Sequence, residues 1–436
     1  MKRTINIDAL ARVEGEGALT IRFRDGEIRN DELRLFEPPR FFEAFLRGRS
    51  YLEVPDLTAR ICGICPVAYQ MSSCRAMEDA LGLDVGEEIR RLRRLFYCGE
   101  WIESHALHVF LLHAPDFLGY PDAFTMAKQH TELVRSGLRI KKAGNALLRV
   151  IGGREIHPIN PRVGGFHRAP SRTELAALLP ALRSARDDAE EAITAFARFP
   201  FPDVERDWEV VSLVDSTEYP ILSGRVVSSR GLDLAVRDFD EHFVEHQVPY
   251  SNALHSTIRG RGAYLCGPLA RFNLAFERLG ARARSAVSVA GLVAPCRNPF
   301  RSILVRMVEI IQVLDEAVAL IESYVPPAPP FVTAEVRAAT GCGATEAPRG
   351  LLYHRYTIDD DGLIREARIV PPTSQNQKSI EEDLFALAPL LLEKPPKEAT
   401  RLAEQAVRNH DPCISCATHF LELRFEDDGG PSCRRE

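Results

Sequence analysis

Two Cys-x-x-Cys pairs constrain this chain more than any other feature: Cys62-Gly-Ile-Cys65 and Cys413-Ile-Ser-Cys416. Two residues between thiols let both sulfurs of a pair address one metal ion, and Pro66 and Pro412 beside the pairs hold the local turns. The pairs lie 351 positions apart. Zinc ribbons keep theirs about 15–20 residues apart. If one ion takes all four thiols, the two ends of the chain must meet, and the ion sits in the core. On spacing alone three readings stay open. They are a redox dithiol, although neither pair lies in an evident thioredoxin-like unit, a structural Cys₄ zinc site, and a functional soft-metal site.

Composition narrows the class. A chain of 436 residues with 45% hydrophobic content can bury a large core, and its length suggests two or three domains as a first guess. Ten cysteines are too few for a disulfide scaffold. A net charge of −6 excludes a strongly basic nucleic-acid binder, so no nucleic-acid partner is expected. No uncharged apolar run reaches the length of about 18 residues that a membrane-spanning helix needs. The segment Met1–Asp8 lacks the apolar core of a secretory signal, so a cytoplasmic location is expected.

The pattern predicts strands at Thr4–Asp8, Ala18–Arg24 and Glu27–Phe36, the last two flanking an Asp25-Gly26 hairpin turn. A break at Pro38-Pro39 precedes a helix over Phe41–Arg47. Helical periodicity covers Ile89–Leu112, Ala127–Ile151 and Phe300–Tyr324, the last apolar nearly all round and therefore buried. Ser171 and Glu174 form a capping box that opens a helix to about Arg198. Strand character returns over Trp208–Val236 and over Leu352–Val370 around Asp361-Gly362, and the C-terminal region is helical with a break at Pro395-Pro396. The expected fold is mainly α with β hairpins, an α+β body with its N-terminal β portion at about residues 1–37.

The two cysteine motifs, Arg60-Ile-Cys62-Gly-Ile-Cys65 and Asp411-Pro-Cys413-Ile-Ser-Cys416-Ala-Thr-His419, resemble the paired signatures of the large, catalytic subunit of nickel–iron hydrogenases. Other segments match in order. They are Arg12-Val-Glu14-Gly-Glu16, Arg40-Phe-Phe-Glu43, Ser104-His105 with His108, Pro115-Asp116-Phe117, Gly267-Pro-Leu-Ala-Arg271, Asn298-Pro-Phe-Arg301, Glu346-Ala-Pro-Arg349 and Pro371-Pro-Thr-Ser-Gln-Asn376. The resemblance runs from residue 12 to 419, which makes residues 1–419 one expected domain with the large-subunit fold. One departure is Tyr69, where the family often has His.

The resemblance implies a chemistry. Splitting H₂ into hydride and proton requires an electron-rich soft metal and a base, and thiolates suit such a metal. All four cysteines would bind nickel, with Cys65 and Cys416 bridging to an iron that carries carbon monoxide and cyanide. Pro348-Arg349 and Pro372-Thr373 would line the pocket of those diatomic ligands, Arg349 as a fixed cation and Thr373 as a hydroxyl donor. Glu14 would relay protons beside Cys413, and Asp411 would pair with a neighbouring arginine. Glu43, the backbone carbonyl of Ile369 and His419 would hold a Mg²⁺ or similar hard ion. Each residue also has an ordinary reading: a surface ion pair for Arg349, an exposed loop for Glu14, a helix-face salt bridge for Glu43. The remaining cysteines read as small buried hydrophobes, and His105, His108 and His113 as packing or proton-traffic residues.

The same resemblance implies partners. The chain has no further paired cysteines and no flavin motif, so an iron–sulfur small subunit is expected to take the electrons. The segments Cys62–Gln70 and Pro371–Asn376 are most similar to the cytoplasmic bidirectional group, which passes electrons on to NAD(P) through flavin-containing diaphorase subunits. Deazaflavin, heterodisulfide-linked or sulfur-reducing relatives, a regulatory H₂ sensor, and a quinone-binding respiratory module are the alternatives, the last disfavoured by the four thiols. Residues 420–436 hold five acidic and three basic residues and are expected to be a maturation extension. A dedicated endopeptidase would remove it after nickel-insertion factors have acted.

Overall fold

The computed structural model describes residues 2–24, 27–37 and 41–418. The Asp25-Gly26 turn, the Pro38-Pro39 break, Arg40, His419 and the segment 420–436 lie outside the described residues.

The chain opens with an antiparallel meander, β1 (Lys2–Ile7), β2 (Gly17–Arg24) and β3 (Glu27–Leu35), as alternation predicts. Ile5 pairs with Ile21, and Ile5, Leu19, Ile21, Leu33 and Leu35 turn inward. A short helix α1 (Phe42–Leu46) follows, then α2 (Pro66–Leu81). Pro66 in the first turn of α2 gives up an N–H that has no intrahelical partner anyway. Gly82, at φ 63°, ends the helix by donating its N–H to the carbonyls of Glu78 and Asp79.

Helix α3 (Glu87–Ala106) packs on α4 (Thr131–Gly152), α4 packs on α5 (Leu179–Phe196), and α3 and α5 pack on the long buried helix α6 (Ser302–Glu322). The α3–α4 crossing is close because both contact faces carry glycine. A Cβ at Gly144 would stand 2.7 Å from the carbonyl oxygen of Gly99.

Between α5 and α6 lie β4 (Val211–Val214), β5 (Arg225–Ser228) and β6 (Asp233–Leu234), then the hairpin β7 (Phe243–Gln247) and β8 (Leu254–Ile258). A second meander, β9 (Ala339–Ala347), β10 (Gly350–Ile358) and β11 (Ile364–Val370), lies directly on α2. Gly343 permits that approach, since a Cβ there would meet Ser72 O and Ala76 N at 2.5 Å. Helices α7 (Pro372–Ala386), α8 (Pro396–Asn409) and the single turn α9 (Ile414–Ala417) complete the body. A large hydrophobic cluster runs through both the N- and C-terminal parts, and a smaller one fills the space between β4–β8 and β9–β11.

Four expectations are adjusted. The helix over Ile89–Leu112 is α-helical only to Ala106 and becomes a π-helix over Leu107–His113. Pro115 lacks an N–H and its ring clashes with regular helix one turn back, which favours the wider coil. The Ser171–Glu174 capping box is present, but its helix is the short Arg172–Ala176. Pro180 then starts α5 separately. The Trp208–Val236 stretch breaks into β4–β6 because Pro220 and Gly224 interrupt it. Pairing also adds β9 to the expected Leu352–Val370 strands.

Candidate metal centre

The two Cys-x-x-Cys pairs meet. Cys62 follows the 3₁₀ turn Ala59–Ile61, and Cys65 is the N-cap of α2. Cys413 is the N-cap of α9, and Cys416 lies within it. Their sulfurs all fall within 4.8 Å of one another. Cys62 and Cys413 are 3.3 Å apart, Cys65 and Cys416 3.7 Å, and Cys413 and Cys416 2.9 Å. No one of the four residues is more than 3% exposed.

The electrostatics of the four thiols are shared. The Cys62 thiol is pulled well below its ordinary value by S–H donors from Cys413, Cys416 and Cys65, against burial and with help from Arg349. Cys413 is pushed well up, by burial first and by its neighbouring sulfurs next. The pocket therefore accepts one thiolate readily and resists more. A cation that binds here must release protons as it enters, as thiolate metal sites do. Four convergent, buried soft donors fit a soft metal rather than Mg²⁺ or Ca²⁺.

The ends of the chain are tied at this point by backbone. Ile414 N–H donates to Glu14 O at 2.9 Å, which joins the Arg12–Glu16 loop to the Cys413 loop. Glu14 Oε2 accepts from Ser415 N–H at 3.0 Å and from Cys413 Sγ at 3.1 Å. Ser415 Oγ donates to Glu14 Oε1 and lies 3.0–3.1 Å from the Glu37 carboxylate. Burial, then the charge on Cys62, raises the Glu14 pKa. So Glu14 is a half-buried carboxyl against a thiol, not an exposed loop residue.

Arg349 sits in the β9–β10 turn and is 2% exposed, which replaces its surface reading. Its Nε donates to Asp411 O at 2.7 Å, its Nη2 to Asp411 Oδ1 at 3.1 Å, and its Nη1 to Ser104 Oγ at 3.4 Å. The Cys413, Cys65 and Cys62 sulfurs are among its electrostatic neighbours. Asp411 thus pairs with an arginine as expected, and it does so at φ 52°, a left-handed conformation that costs a non-glycine residue energy. Pro348 O accepts from Arg271 Nη2 at 3.0 Å, which holds the turn. Thr373, in the first turn of α7 after Pro372, accepts the Cys413 N–H at 3.0 Å and keeps its own O–H free to donate.

Glu43 is on α1 and accepts Ile369 N–H at 2.6 Å; burial raises its pKa to about 7. The contact runs through the Ile369 N–H, not the backbone carbonyl expected as a ligand, and the third residue, His419, lies outside the described residues. Tyr69 is buried on α2 against the His354 ring, 5.7 Å away. Burial first, then the neighbouring Cys416 and Cys65 sulfurs, hold its hydroxyl well above the ordinary tyrosine pKa.

The structure adds Glu100, which the motifs did not single out, and places His105 and His108, which they did. Glu100 on α3 accepts the Val67 and Ala68 N–H groups at 2.6 and 3.0 Å, and so holds the first turn of α2 behind Cys65. Its signal in the sequence is a glutamate on the apolar face of α3. His105 pairs with Glu309 at 2.9 Å and His108 with Arg408 O at 2.8 Å. Both rings are held largely neutral by burial.

Comparison with known proteins agrees with this geometry. The family model described as nickel-dependent hydrogenase matches residues 40–151 and 270–419. The chain belongs to that family, as a nickel–iron hydrogenase large subunit with a mixed helix-and-strand fold. Among its relatives is the sulfhydrogenase 2 subunit alpha of Pyrococcus furiosus, 36% identical over 96% of this chain and 100% of that one. The sulfhydrogenase 1 subunit alpha of the same organism is 31% identical over 96% of this chain and 98% of that one. A crystal structure of an NAD⁺-reducing [NiFe]-hydrogenase in the H₂-reduced state superimposes with a TM-score of 0.87 at 29% identity, covering 96% of this chain and 99% of that one. No helix among the described residues is long and apolar enough to cross a membrane.

Proposed function

We propose that the chain performs reversible heterolytic cleavage of H₂ at a Ni–Fe centre, passes electrons to an iron–sulfur small subunit, and through it serves NAD(P) reduction. The observation that carries this reading is the meeting of Cys62, Cys65, Cys413 and Cys416 in one buried cluster, with a carboxylate and a guanidinium against it.

All four thiolates would hold nickel, with Cys65 and Cys416 shared with an iron bearing CO and CN ligands. When bound, the centre supplies the soft, electron-rich site at which H₂ is polarised and split. The protein's own groups do the rest. Glu14 is placed to take a proton from the Cys413 sulfur at 3.1 Å and hand it towards Ser415 and Glu37. Arg349, locked by Asp411 and the Pro348 turn, presents a fixed cation to the cluster. Thr373, beside Pro372, has a hydroxyl proton available for an anionic ligand in that pocket. Glu43, Ile369 and His419 would hold a Mg²⁺ ion that braces the last turn of the chain.

A second acceptor, sulfur, is favoured by the likeness to the two sulfhydrogenase alpha subunits. Metal analysis and infrared spectroscopy of the natively purified complex test the centre. Near one nickel per chain with CO and CN stretching bands supports it; zinc alone, without such bands, defeats it. H₂-dependent reduction of NAD⁺, NADP⁺ and polysulfide by the same complex then separates the acceptors.

A further inference from the structure

A cavity of about 790 Å³ lies along the second half of α2, outside the metal centre. Arg75, on α2, and Arg237, on the 3₁₀ turn Val236–Asp238, line it. A third arginine, Arg337, reaches its rim: its Nη2 lies 3.7 Å from where a Cβ on Gly82 would stand. Among the described residues the side chains of these three arginines have no hydrogen-bond or ion-pair partner. Arg75 Nε is fully buried and meets no acceptor. Burial holds the Arg75 pKa below the usual arginine value.

The carboxylates in the same wall are engaged elsewhere. Glu78 is held by both Nη atoms of Arg93, at 2.6 and 2.7 Å, and by Gly164 N–H at 2.8 Å. Glu87 is held by Arg90 at 2.8 and 3.0 Å. Asp79 accepts Cys342 N–H at 2.9 Å, and Asp84 accepts Gly86 N–H at 3.0 Å. Glu78 and Asp79 attract the half-buried Arg75 charge, but neither carboxylate hydrogen-bonds its guanidinium, so its N–H groups remain open to an anion that enters the cavity.

We propose that this cavity binds a small phosphorylated ligand of nucleotide size, with Arg75 as the anchor for its phosphate groups. Guanidinium forks match phosphate oxygens in pairs. The volume is within the range of roughly 300–1,000 Å³ that small-molecule sites occupy, larger than one phosphate ion needs. Leu222, Ala235 and Val236 give the remaining wall an apolar stretch against which a base or sugar can pack. The site stands independently of the electron acceptor proposed above.

The test is calorimetric titration of the purified complex with ADP, pyrophosphate, inorganic phosphate and adenosine, in chloride buffer without divalent cations. Cys342, in the cavity wall and partly exposed, provides a second readout through its rate of alkylation by iodoacetamide, followed on its own peptide. ADP and pyrophosphate are expected to saturate and to slow alkylation of Cys342. Arg75→Met should weaken both by about tenfold or more. The proposal is overturned if adenosine binds as well as ADP, if no phosphate compound saturates, or if Arg75→Met binds like wild type. Binding by the isolated chain but not by the complex also overturns it, since an acidic group of a partner then occupies the cavity.

Discussion

Replacing Asp116 by Asn removes the charge that clamps two segments around the metal centre. Asp116 receives Arg408 Nε at 2.8 Å, Arg408 Nη2 at 2.9 Å and Arg12 Nη2 at 2.5 Å. Arg12, at φ 61°, leads directly into Glu14; Arg408 ends α8 just before Cys413 and also holds Ala11 O at 2.8 Å. Three charge-assisted bonds would add to about 4.5–9 kcal/mol if they were independent, which bonds on one carboxylate are not. The governing figure is the cost of leaving a buried ion pair without one partner, about 3–5 kcal/mol. Unfolding entropy of about 2.1 cal/mol/K per residue over a chain of this length is roughly 0.9 kcal/mol/K, so the melting temperature should fall by about 3–6 °C. Scanning fluorimetry of the complex measures this directly. The variant should also retain less nickel, because the loops bearing Glu14 and Cys413 are no longer held together. Asp116→Asn combined with Arg408→Met should recover part of the loss, since one stranded cation is gone. A melting temperature within 1 °C of wild type (on the order of the assay error, against the cost above), or a double variant as damaged as the sum of the singles, would refute the clamp.

Four further outcomes are expected. Each Cys→Ser change at residues 62, 65, 413 and 416 should abolish most nickel retention, checked by elemental analysis; a variant that keeps full nickel removes its cysteine from the ligand set. Glu14→Gln should leave nickel content unchanged and lower H₂ turnover by about 10²–10⁴-fold, the usual contribution of a positioned acid–base group. Arg349→Lys loses the fork onto Asp411 and should lower activity or metal retention by about 10–100-fold, as for groups that orient a metal site from behind its ligands; wild-type activity would remove Arg349 from the site. His105 and His113 have pKa values lowered by burial to about 4 and about 3, against an ordinary 6.5. Below pH 6.5 the unfolded chain takes up protons that the folded chain refuses, so stability is lost as pH falls towards those values. Each ring should cost roughly 2 kcal/mol at pH 5. His113→Phe should flatten the dependence of melting temperature on pH between 6.5 and 5 (the window from the ordinary to the lowered values), and an unchanged slope would show that His113 does not drive it.

The metal centre was legible because its chemistry is written in adjacent residues. Cys62 with Cys65, and Cys413 with Cys416, each read locally as a candidate ligand pair; spacing leaves a redox dithiol and a zinc site open, and the resemblance to the hydrogenase signatures joins the pairs. The long amphipathic and buried helices were legible for the same local reason. What periodicity misses is what tertiary contact decides. Strand β9 reads Ala-Thr-Gly-Cys-Gly-Ala and has little strand propensity; it exists because Gly341 and Gly343 let the sheet lie on the backbone of α2. Glu100 reads only as a lone carboxylate on the apolar face of α3 until α2 is placed with its first N–H groups over it.

The division of the ligands between residues 62–65 and 413–416 has a consequence for how the centre is made. Cys65 is fixed at the start of a 16-residue buried helix whose first turn is held by Glu100 and whose flank is covered by β9 and β10, so that half is rigid without metal. Cys413 caps and Cys416 lies within a four-residue turn, α9, which is held from outside by the N–H bonds to Glu14 and Thr373 and by the strained Asp411 on Arg349. The bond to Glu14 ties this turn to the first tenth of the chain, and its loop-closure entropy is recovered only when nearly everything between has folded. A metal ion therefore adds its binding energy to the least locally stabilised half of the site. Metal loss should accordingly loosen the 411–418 loop before it loosens α2, in the order in which hydrogen exchange of their amides would report it.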